Sequence, residues 1–319
     1  MLDLVIIGAG PCGLSCGIEA SRHQLKYLLL DKGNVAEAIR RYPVQMNFFS
    51  TSENIQIGDV PLISHDIRPT RFEALKYYQQ VAAYFKLPIK RFTEVYKVVP
   101  SEEGFEVKSS QGTFKTRFVI IATGYYDLPK HLNIAGENLP HVSHYYDEAF
   151  KYNGTKCLVV GGANSAIETA LDLHRNGAKV TLLHQFATLD KNVKYWIRPD
   201  AENRIKEGSI QGIFNARLTA ITPEEAEYKT VEGKQERIKA DFVFLMTGYR
   251  PDAHFLEECG ISLKGEALIP DVDPDNYESN VANLFLAGSI IGGEETAKVF
   301  IENGRHHARP ILNTIKARL

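Results

Sequence analysis

The sequence predicts an α/β protein with two Rossmann-like domains of the three-layer ββα type, the second inserted into the first. A short apolar strand, a glycine-rich turn and a helix-like stretch occur twice, beginning near residues 3 and 156. In addition, the apolar strands FVIIATG, FVFLMTG and NLFLAGS each end in a glycine turn, which indicates that the first module resumes after the second. We therefore expect a discontinuous domain at 1–124 and 248–319 and an inserted domain at 125–247.

Composition narrows the possible functions. The length of 319 residues favours about two domains, and the net charge of -2 gives no general attraction to nucleic acid or anionic membranes. The N-terminus lacks the basic region of a secretory signal, and no apolar run approaches the length of a membrane helix, so we expect a cytoplasmic protein. The cysteines and histidines show no paired ligand spacing, so we expect no metal site.

The first glycine-rich turn has every feature of a dinucleotide-binding motif. The strand DLVII runs into Gly8-Ala9-Gly10-Pro11-Cys12-Gly13 and then into a helix-like stretch. Glycines at these positions let the backbone turn tightly and approach a pyrophosphate at the helix N-terminus. Asp31 ends the next strand, 23 residues after Gly8 (31 minus 8), where a carboxylate would bind a ribose diol.

The second turn departs from that pattern. The strand KCLVV enters Gly161-Gly162-Ala163-Asn164-Ser165-Ala166, so alanine replaces glycine twice, and Ala163 should restrict the approach of a pyrophosphate. At the position that corresponds to Asp31, the next strand ends in His184-Gln185. An acid there would repel a 2′-phosphate, so its absence, with Lys191, Lys194 and Arg198 downstream, favours NADPH over NADH. These bases could instead lie on a solvated loop.

With both motifs in place, the chain resembles the thioredoxin-reductase-like branch of the pyridine nucleotide–disulfide oxidoreductases over essentially its full length. Within that branch it is similar to the YpdA-type bacillithiol disulfide reductases. The segments that narrow the match are NFFSTSENIQIGD at 47–59, KYWIRPDAENRIKEGSI at 194–210 and FIENGRHHA at 300–308. The resemblance implies an enzyme that oxidises NADPH through FAD and reduces a small disulfide. We also expect a homo-oligomer, either a dimer or a tetramer.

The motifs and the resemblance together imply two sets of cofactor-binding residues. The FAD set comprises Gly8, Gly10, Pro11, Cys12, Gly13, Asp31, Lys32, Val95, Ala122, Thr123, Gly124, Gly288, Ser289 and Thr296. The NADPH set comprises Gly161, Gly162, Ala163, Asn164, Ser165, Ala166, His184, Gln185, Lys191, Lys194 and Arg198. Serine at 289 stands where the family usually has an acid, and Thr296 and Lys298 are expected to begin a helix that faces the flavin.

The redox cysteines of thioredoxin reductases are missing. The corresponding segment is HVSHYYDEAFKYNG, which contains no cysteine. Cys12 is the candidate nucleophile, because a helix N-terminus lowers the pKa of a thiol, and Cys16 one turn later could resolve a mixed disulfide. A small side chain that fills a tight turn explains Cys12 equally well. The aromatic pairs Phe48-Phe49 and Tyr125-Tyr126 could shield a flavin, although packing is the simpler expectation, particularly for Phe48.

Three other functions remain open at this stage. A flavin monooxygenase uses two dinucleotide folds without a CxxC pair, and so does a ferredoxin–NADP reductase. A redox-sensing flavoprotein would bind NADPH and signal through its conformation without turnover. The final electron acceptor separates these possibilities, and the sequence does not specify that acceptor.

Overall fold

The computed structural model describes all 319 residues and divides them into two compact units. Unit 1 comprises Met1–Leu128 and Tyr249–Leu319, and unit 2 comprises Pro129–Gly248. The crossovers expected near residues 124 and 248 compare with unit boundaries after Leu128 and Gly248. No helix has both the length and the apolarity required to cross a membrane.

Unit 1 contains most of the helices. Its first segment holds β1 Leu2–Ile7, α1 Pro11–Arg22, β2 Tyr27–Leu30, α2 Glu37–Arg40, α3 Ser52–Ile55, α4 Arg71–Tyr84, β3 Ile89–Lys90, β4 Val95–Ser101, β5 Gly104–Ser109, β6 Gly112–Ile121 and β7 Leu128–Pro129, which ends one residue beyond the boundary. Its second segment holds β16 Tyr249–Arg250, α7 Ala253–Glu258, β17 Leu263–Lys264, β18 Ile269–Pro270, β19 Leu284–Leu286, α8 Ile301–Gly304 and α9 Ala308–Ala317, with 3₁₀ turns at Gly288–Gly292 and Arg305–His307.

Unit 2 repeats the plan in a shorter form. It holds β8 Val142–Ser143, a 3₁₀ turn at Phe150–Tyr152, β9 Lys156–Val160, α5 Asn164–Arg175, β10 Lys179–Leu183, α6 Arg198–Lys206, β11 Gln211–Ile213, β12 Ala216–Ile221, β13 Glu225–Thr230, β14 Gln235–Lys239 and β15 Phe242–Leu245. The apolar runs at 27–30, 156–160 and 179–183 predict three strands, and β2, β9 and β10 have these bounds.

The sheet of unit 1 forms two layers because β6 is long. Its strand order is β3-β2-β1-β6-β5-β4, and β19 also pairs with β6. The first half of β6 pairs antiparallel with β5, whereas its second half pairs parallel with β1 and β19. Side chains alternate along β1, so Leu4 and Ile6 pack beneath the helices while Val5 and Ile7 pack towards β4 and β5. These are the helix, parallel-sheet and antiparallel-sheet layers of the predicted ββα fold.

Unit 2 has the same three layers. A parallel sheet of order β11-β10-β9-β15-β8 lies between the helices and the antiparallel sheet β12-β13-β14. Val159 packs on the helical side with Ile167, while Leu158 and Val160 pack against the antiparallel side. Both predicted domains therefore have the predicted layers.

One predicted helix is wrong. The segment from Thr296 to Phe300 is a turn and a bend followed by extended chain, and α8 begins only at Ile301. The Asn303 side chain explains this start, because its Oδ1 accepts a hydrogen bond from the Phe300 N–H and its Nδ2 donates to the Lys298 carbonyl. The side-chain amide thus takes over backbone groups that an earlier helical turn would have paired. Thr296 is not at a helix N-terminus.

Candidate functional site

The turn between β1 and α1 admits only glycine at two positions. Gly8 has φ +108°, and a Cβ there would lie 2.5 Å from the Ala122 carbonyl oxygen. A Cβ on Gly13 would lie 2.0 Å from the Gly8 carbonyl oxygen. These contacts close the turn tightly onto the sheet and onto the end of β6.

Gly10 differs from its neighbours, because it is not required for the fold of the turn. It is the N-cap of α1 with φ -77° and ψ 177°, which any residue can adopt, and a Cβ there would meet nothing within 4 Å. The space above Gly10 therefore lies open at a helix N-terminus that begins with Pro11. An open backbone face of this kind fits a pyrophosphate, which needs close approach to the N–H groups.

Asp31 stabilises the same turn through hydrogen bonds to the backbone. Its Oδ2 accepts a hydrogen bond of 2.6 Å from the Ala9 N–H, and its Oδ1 accepts one of 2.8 Å from the Gly33 N–H. Burial raises the pKa of this carboxyl group despite the two donors. Each oxygen keeps a further lone pair, so the carboxylate can also accept hydrogen bonds from a ribose diol.

The structure brings together several residues of the predicted FAD set that are distant in sequence. Ala122 packs over Gly8, and a Cβ on Gly124 would come within 3.7 Å of the Ser289 Oγ. A Cβ on Gly288 would lie 2.8 Å from the Cys12 Sγ. The ends of β1, β6 and β19 therefore meet at one edge of the sheet, where α/β proteins bind their ligands.

Lys32, Val95 and Thr123 of the predicted FAD set differ in their exposure and in their neighbours. Lys32 is exposed and pairs with Asp127 at 3.1 Å. Val95 begins β4 two residues after Thr93, whose N–H donates to the Asp31 carbonyl, so this segment runs beside the end of β2. Thr123 is exposed beside the buried Ala122.

Cys12 is not the activated thiol that a helix N-terminus predicts. Burial raises its pKa to about 12, because desolvation disfavours the charged thiolate. A Cβ on Gly304 would lie 2.9 Å from its Sγ, just as one on Gly288 would lie 2.8 Å away, so both glycines make room for the sulfur. The expectation of a low pKa is therefore wrong, and a catalytic role for Cys12 stays a prediction. Cys16 is fully buried, and its pKa is also raised by burial.

Sequence reasoning missed His307. Its Nδ1 accepts a hydrogen bond of 3.2 Å from the Gly288 N–H, and its ring stacks on Tyr277 with centroids 4.1 Å apart. Burial lowers the pKa of His307 to about 4, so the ring is neutral at neutral pH and Nδ1 can act as an acceptor. The sequence showed only an adjacent His306-His307 pair, and nothing in it indicated this contact with the Gly288 turn.

The aromatic pairs divide between core and surface. Phe48 is buried in the helical-side core of unit 1, as expected, whereas Phe49 is 54% exposed. Tyr126 packs edge-on against Tyr42 at 4.8 Å between centroids and lies 4.4 Å from the ring of Tyr249. These rings stabilise the part of unit 1 that follows the β6 turn.

The second glycine-rich turn, between β9 and α5, has a different lining. Gly161 repeats the role of Gly8, because a Cβ there would lie 2.5 Å from the Met246 carbonyl oxygen. A Cβ on Gly162 would lie 2.3 Å from the ring of His184, so this glycine makes room for the histidine. Ala163 is the exposed N-cap of α5 with φ -100° and ψ -173°, and the buried Ala166 occupies the position of Gly13.

A loop after β10 is fastened onto this turn. The Asp190 N–H donates to the Gly162 carbonyl, and the Asn164 side chain donates to the Asn192 carbonyl while accepting from the Lys194 N–H. The Lys194 ammonium lies buried against Glu168 of α5 at 2.5 Å. The alternative of a solvated loop is therefore wrong for Lys194, and its charge is committed to Glu168 rather than presented to a 2′-phosphate.

The other predicted NADPH residues lie near the same turn. Arg198 begins α6, pairs with Glu202 and donates to the Asp190 carbonyl. Ser165, Gln185 and Lys191 are exposed. Burial lowers the pKa of His184, so its ring is neutral at neutral pH. The end of β10 thus offers a neutral ring and no acid.

Comparison with known proteins identifies the family. The pyridine nucleotide-disulphide oxidoreductase family matches residues 5–288. The chain is 39% identical to bacilliredoxin reductase Bdr of Bacillus subtilis over 98% of this chain and 97% of the relative. A solved structure of bacillithiol disulfide reductase Bdr (YpdA) from Bacillus cereus has a TM-score of 0.97 at 38% identity, covering 100% of this chain and 99% of that chain. The corresponding Staphylococcus aureus structure has a TM-score of 0.96 at 38% identity, with coverages of 99% and 98%.

Other similarities show the fold alone. The thioredoxin reductase of T. acidophilum superposes with a TM-score of 0.76 at 22% identity, covering 99% of this chain and 98% of that chain. Two glycine-rich turns at the ends of parallel strands, in two units with the same layers, agree with the family match. The chain belongs to the pyridine nucleotide-disulphide oxidoreductase family, and it is an oxidoreductase that uses a flavin and a pyridine nucleotide.

Proposed function

We propose that this protein is an FAD-dependent enzyme that oxidises NADPH and reduces a low-molecular-weight disulfide, namely bacillithiol disulfide. The observation that carries the proposal is the match, with a TM-score of 0.97 and 38% identity, to a structure named bacillithiol disulfide reductase. The absence of a CxxC pair supports a small substrate, because no dithiol is available to relay electrons to a protein disulfide.

We assign the flavin to unit 1. The open face above Gly10, the carboxylate of Asp31 and the Ser289 side chain beside the Gly124 turn would hold its pyrophosphate, ribose and ribityl chain in that order. When bound, FAD would accept two electrons from NADPH and pass them to the disulfide. The chain itself orients the cofactor, and neutral His307 fixes the Gly288 turn beside it.

We assign the pyridine nucleotide to unit 2 and favour NADPH over NADH. His184 replaces the acid that would repel a 2′-phosphate, and Lys191 and Arg198 supply positive charge on the loop and helix that follow β10. Lys194 has no part in this assignment, because its side chain is only 7% exposed against Glu168, whereas the Arg198 side chain is 31% exposed beside Glu202. The prediction is a kcat/KM for NADPH at least about tenfold higher than that for NADH.

Cys12 remains the proposed nucleophile, and its raised pKa has a consequence for how the reaction rate depends on pH. A Cys12 thiolate would attack one sulfur of the disulfide, release the other half as a thiolate and retain a mixed disulfide until two electrons cleave it. With a pKa of about 12, only a small fraction of Cys12 is thiolate at neutral pH. The rate of disulfide reduction should then rise roughly tenfold per pH unit between pH 7 and 9, because the thiolate is the attacking form.

The test is an anaerobic two-step experiment. The flavin is first reduced with NADPH, and its reoxidation is then followed with bacillithiol disulfide, ferredoxin and oxygen in separate samples. We expect the disulfide to reoxidise the flavin fastest. Reoxidation by ferredoxin alone would identify a ferredoxin–NADP reductase, and an oxygen-dependent product would identify a monooxygenase.

Cys12→Ala separates the two half-reactions. The variant should retain reduction of the flavin by NADPH and lose reoxidation by the disulfide. Cys259→Ala is the matched control, because desolvation raises the pKa of Cys259 to about 12 as well, but this cysteine packs on the other side of the sheet. Unchanged turnover in Cys12→Ala would remove the cysteine from the mechanism and leave the assigned activity in place.

A second substrate is indicated by the name of one relative. The Bacillus subtilis protein is called bacilliredoxin reductase, so an oxidised bacilliredoxin is the alternative electron acceptor. The same reoxidation experiment with oxidised bacilliredoxin decides between them. Faster reoxidation by bacilliredoxin than by bacillithiol disulfide would make bacilliredoxin the direct substrate of this enzyme.

A further inference from the structure

The segment that precedes the second glycine-rich motif folds three ligand-type side chains into one cluster. His131, Glu137 and His144 each offer one ligand atom, and these atoms all lie within 4.8 Å of one another. All three residues belong to unit 2, and none of them contributes to the glycine-rich turn. Their spacing of six and seven residues in a stretch with little regular structure gave no sign of the cluster in the sequence.

Glu137 is the centre of the cluster. Its side chain is 5% exposed, and its Oε1 lies 3.3 Å from the His131 Nδ1 and 3.2 Å from the His144 Nε2. The same oxygen accepts a hydrogen bond of 2.7 Å from the Leu132 N–H. Three nitrogens therefore surround one buried oxygen that has only two lone pairs.

This crowding is difficult to satisfy with hydrogen bonds alone. If both imidazoles donated to Oε1, three donors would compete for two lone pairs on one atom. If either imidazole turned its lone pair towards the cluster instead, that lone pair would face the carboxylate oxygen at 3.2 or 3.3 Å without a proton between them. A cation between the three ligand atoms removes the conflict.

We propose that His131, Glu137 and His144 bind a divalent transition-metal ion, for which Zn²⁺ is the best match. Zinc bonds to histidine nitrogen and carboxylate oxygen are about 2.0–2.2 Å long, so tetrahedral ligand atoms lie about 3.4 Å apart. The two measured separations from Glu137 Oε1, 3.3 and 3.2 Å, have this size. The His131 side chain is 44% exposed and can adjust to complete the third edge.

The surrounding groups keep the ligands in a form that can bind. Burial would raise the pKa of Glu137, but the backbone N–H groups of Leu132, Ile134 and Asn133, together with His144, lower it overall. Burial and the nearby His131 lower the pKa of His144, so its ring is neutral at neutral pH. With three protein ligands and an exposed side at His131, a fourth position stays open to water or a small ligand, as in catalytic zinc sites.

The test uses the full-length flavoprotein. Protein treated with a chelator and then freed of it is titrated with Zn²⁺ by calorimetry, and we expect one equivalent to bind. His131→Gln should weaken binding at least roughly tenfold, since even indirect partners of metal ligands cost 10–100-fold when removed. Glu137→Gln should have a larger effect, but Glu137 also accepts backbone hydrogen bonds, so the exposed His131 gives the more interpretable variant.

His254→Gln is the matched control. His254 lies 3.8 Å from Glu258 on α7, so it forms a histidine–glutamate pair that lacks a third ligand. The control should bind Zn²⁺ as the unaltered protein does. Co²⁺ gives a second measurement, because a four- or five-coordinate Co²⁺ site absorbs in the red, beyond oxidised flavin, and this absorption should vanish in His131→Gln.

Three outcomes would overturn the proposal. They are an unaltered protein that binds no Zn²⁺, a His131→Gln variant with unchanged affinity, and equal losses in His131→Gln and His254→Gln. The proposal does not depend on the disulfide substrate, because calorimetry measures binding and not turnover.

Discussion

The two glycine-rich turns have the same backbone and different linings. Gly10 and Ala163 are the N-caps of α1 and α5 and share an extended conformation, so the two turns differ there by one methyl group. One position earlier, Ala9 donates to the small carboxylate of Asp31, whereas Gly162 must lack a side chain because the ring of His184 occupies that space. The residue that follows the second strand of each motif, Asp31 after β2 and His184 after β10, therefore determines whether the turn can have a side chain at this position.

One backbone architecture therefore carries two chemically different linings. The first turn has an open face above Gly10 and an acid for a ribose diol. The second has a methyl group at the same point, a neutral ring and a loop tied to it through Asn164.

Gly13→Ala should disrupt the first turn. The new Cβ would lie 2.0 Å from the Gly8 carbonyl oxygen, which neither backbone segment can relieve without moving. We expect the free energy of unfolding to fall by about 3 kcal/mol or more. Ala166 already carries a Cβ at the matching position of the second turn, so Ala166→Gly should cost only about 1 kcal/mol. Denaturant unfolding measures both, and equal losses would contradict the comparison.

Each unit has a buried histidine with a lowered pKa, His307 in unit 1 and His184 in unit 2. Acid should destabilise the fold strongly through His307. Its pKa falls to about 4 in the folded protein from 6.5 in the unfolded chain, so it stabilises the fold fully above pH 6.5. That stability is lost as the pH falls from 6.5 towards 4, because the unfolded chain then binds the proton more readily. The loss should reach about 3 kcal/mol near pH 4.

The measurement is the pH dependence of the free energy of unfolding. His307→Gln should flatten the decline between pH 6.5 and 4, since its side chain does not titrate. The matched control His254→Gln removes an exposed histidine and should leave the pH dependence unchanged. The same slope in His307→Gln and the unaltered protein would contradict the assignment.

Gly10→Ala should weaken FAD binding without affecting the fold. The new methyl group meets no protein atom within 4 Å and the backbone is unstrained, so only a bound pyrophosphate would clash with it. We expect the Kd for FAD to rise roughly 10- to 100-fold, which corresponds to about 1.4–2.7 kcal/mol of overpacking. The flavin content of the purified protein and titration of the apoprotein measure this effect. Full flavin occupancy with an unchanged Kd would place the pyrophosphate elsewhere.

Ala163→Gly should slightly strengthen the binding of NADP⁺ at the second turn. Removal of the methyl group opens the backbone to a closer approach, and glycine is also a better N-cap than alanine. We expect the Kd for NADP⁺ to fall by about two- to fivefold, an effect of roughly 0.5–1 kcal/mol. Titration followed by calorimetry measures it. Weaker binding would show that the methyl group contacts the nucleotide favourably.

The sequence predicted the layers and several boundaries because local signals determine them. Short apolar runs located β2, β9 and β10, and the spacing from Gly8 located Asp31. The helix expected at Thr296 was wrong because a side chain seven residues later, Asn303, takes the backbone groups. Propensity alone does not reveal that competition.

Contacts between residues distant in sequence determine the features of the candidate sites that the sequence did not reveal. Lys194 looked like a phosphate ligand until the fold placed Glu168 beside it. The raised pKa of Cys12 follows from burial beside Gly288 and Gly304, which a local motif does not contain. The cluster of His131, Glu137 and His144 depends on how a loop bends back on itself.

The central claim is that the first turn binds the flavin and the second binds the pyridine nucleotide. The most direct test measures the Kd for FAD and for NADP⁺ in both Gly10→Ala and Ala163→Gly, with thermal unfolding as a control for the fold. We expect Gly10→Ala to change only the Kd for FAD and Ala163→Gly to change only the Kd for NADP⁺. A changed Kd for NADP⁺ in folded Gly10→Ala, with the Kd for FAD unchanged, would contradict it.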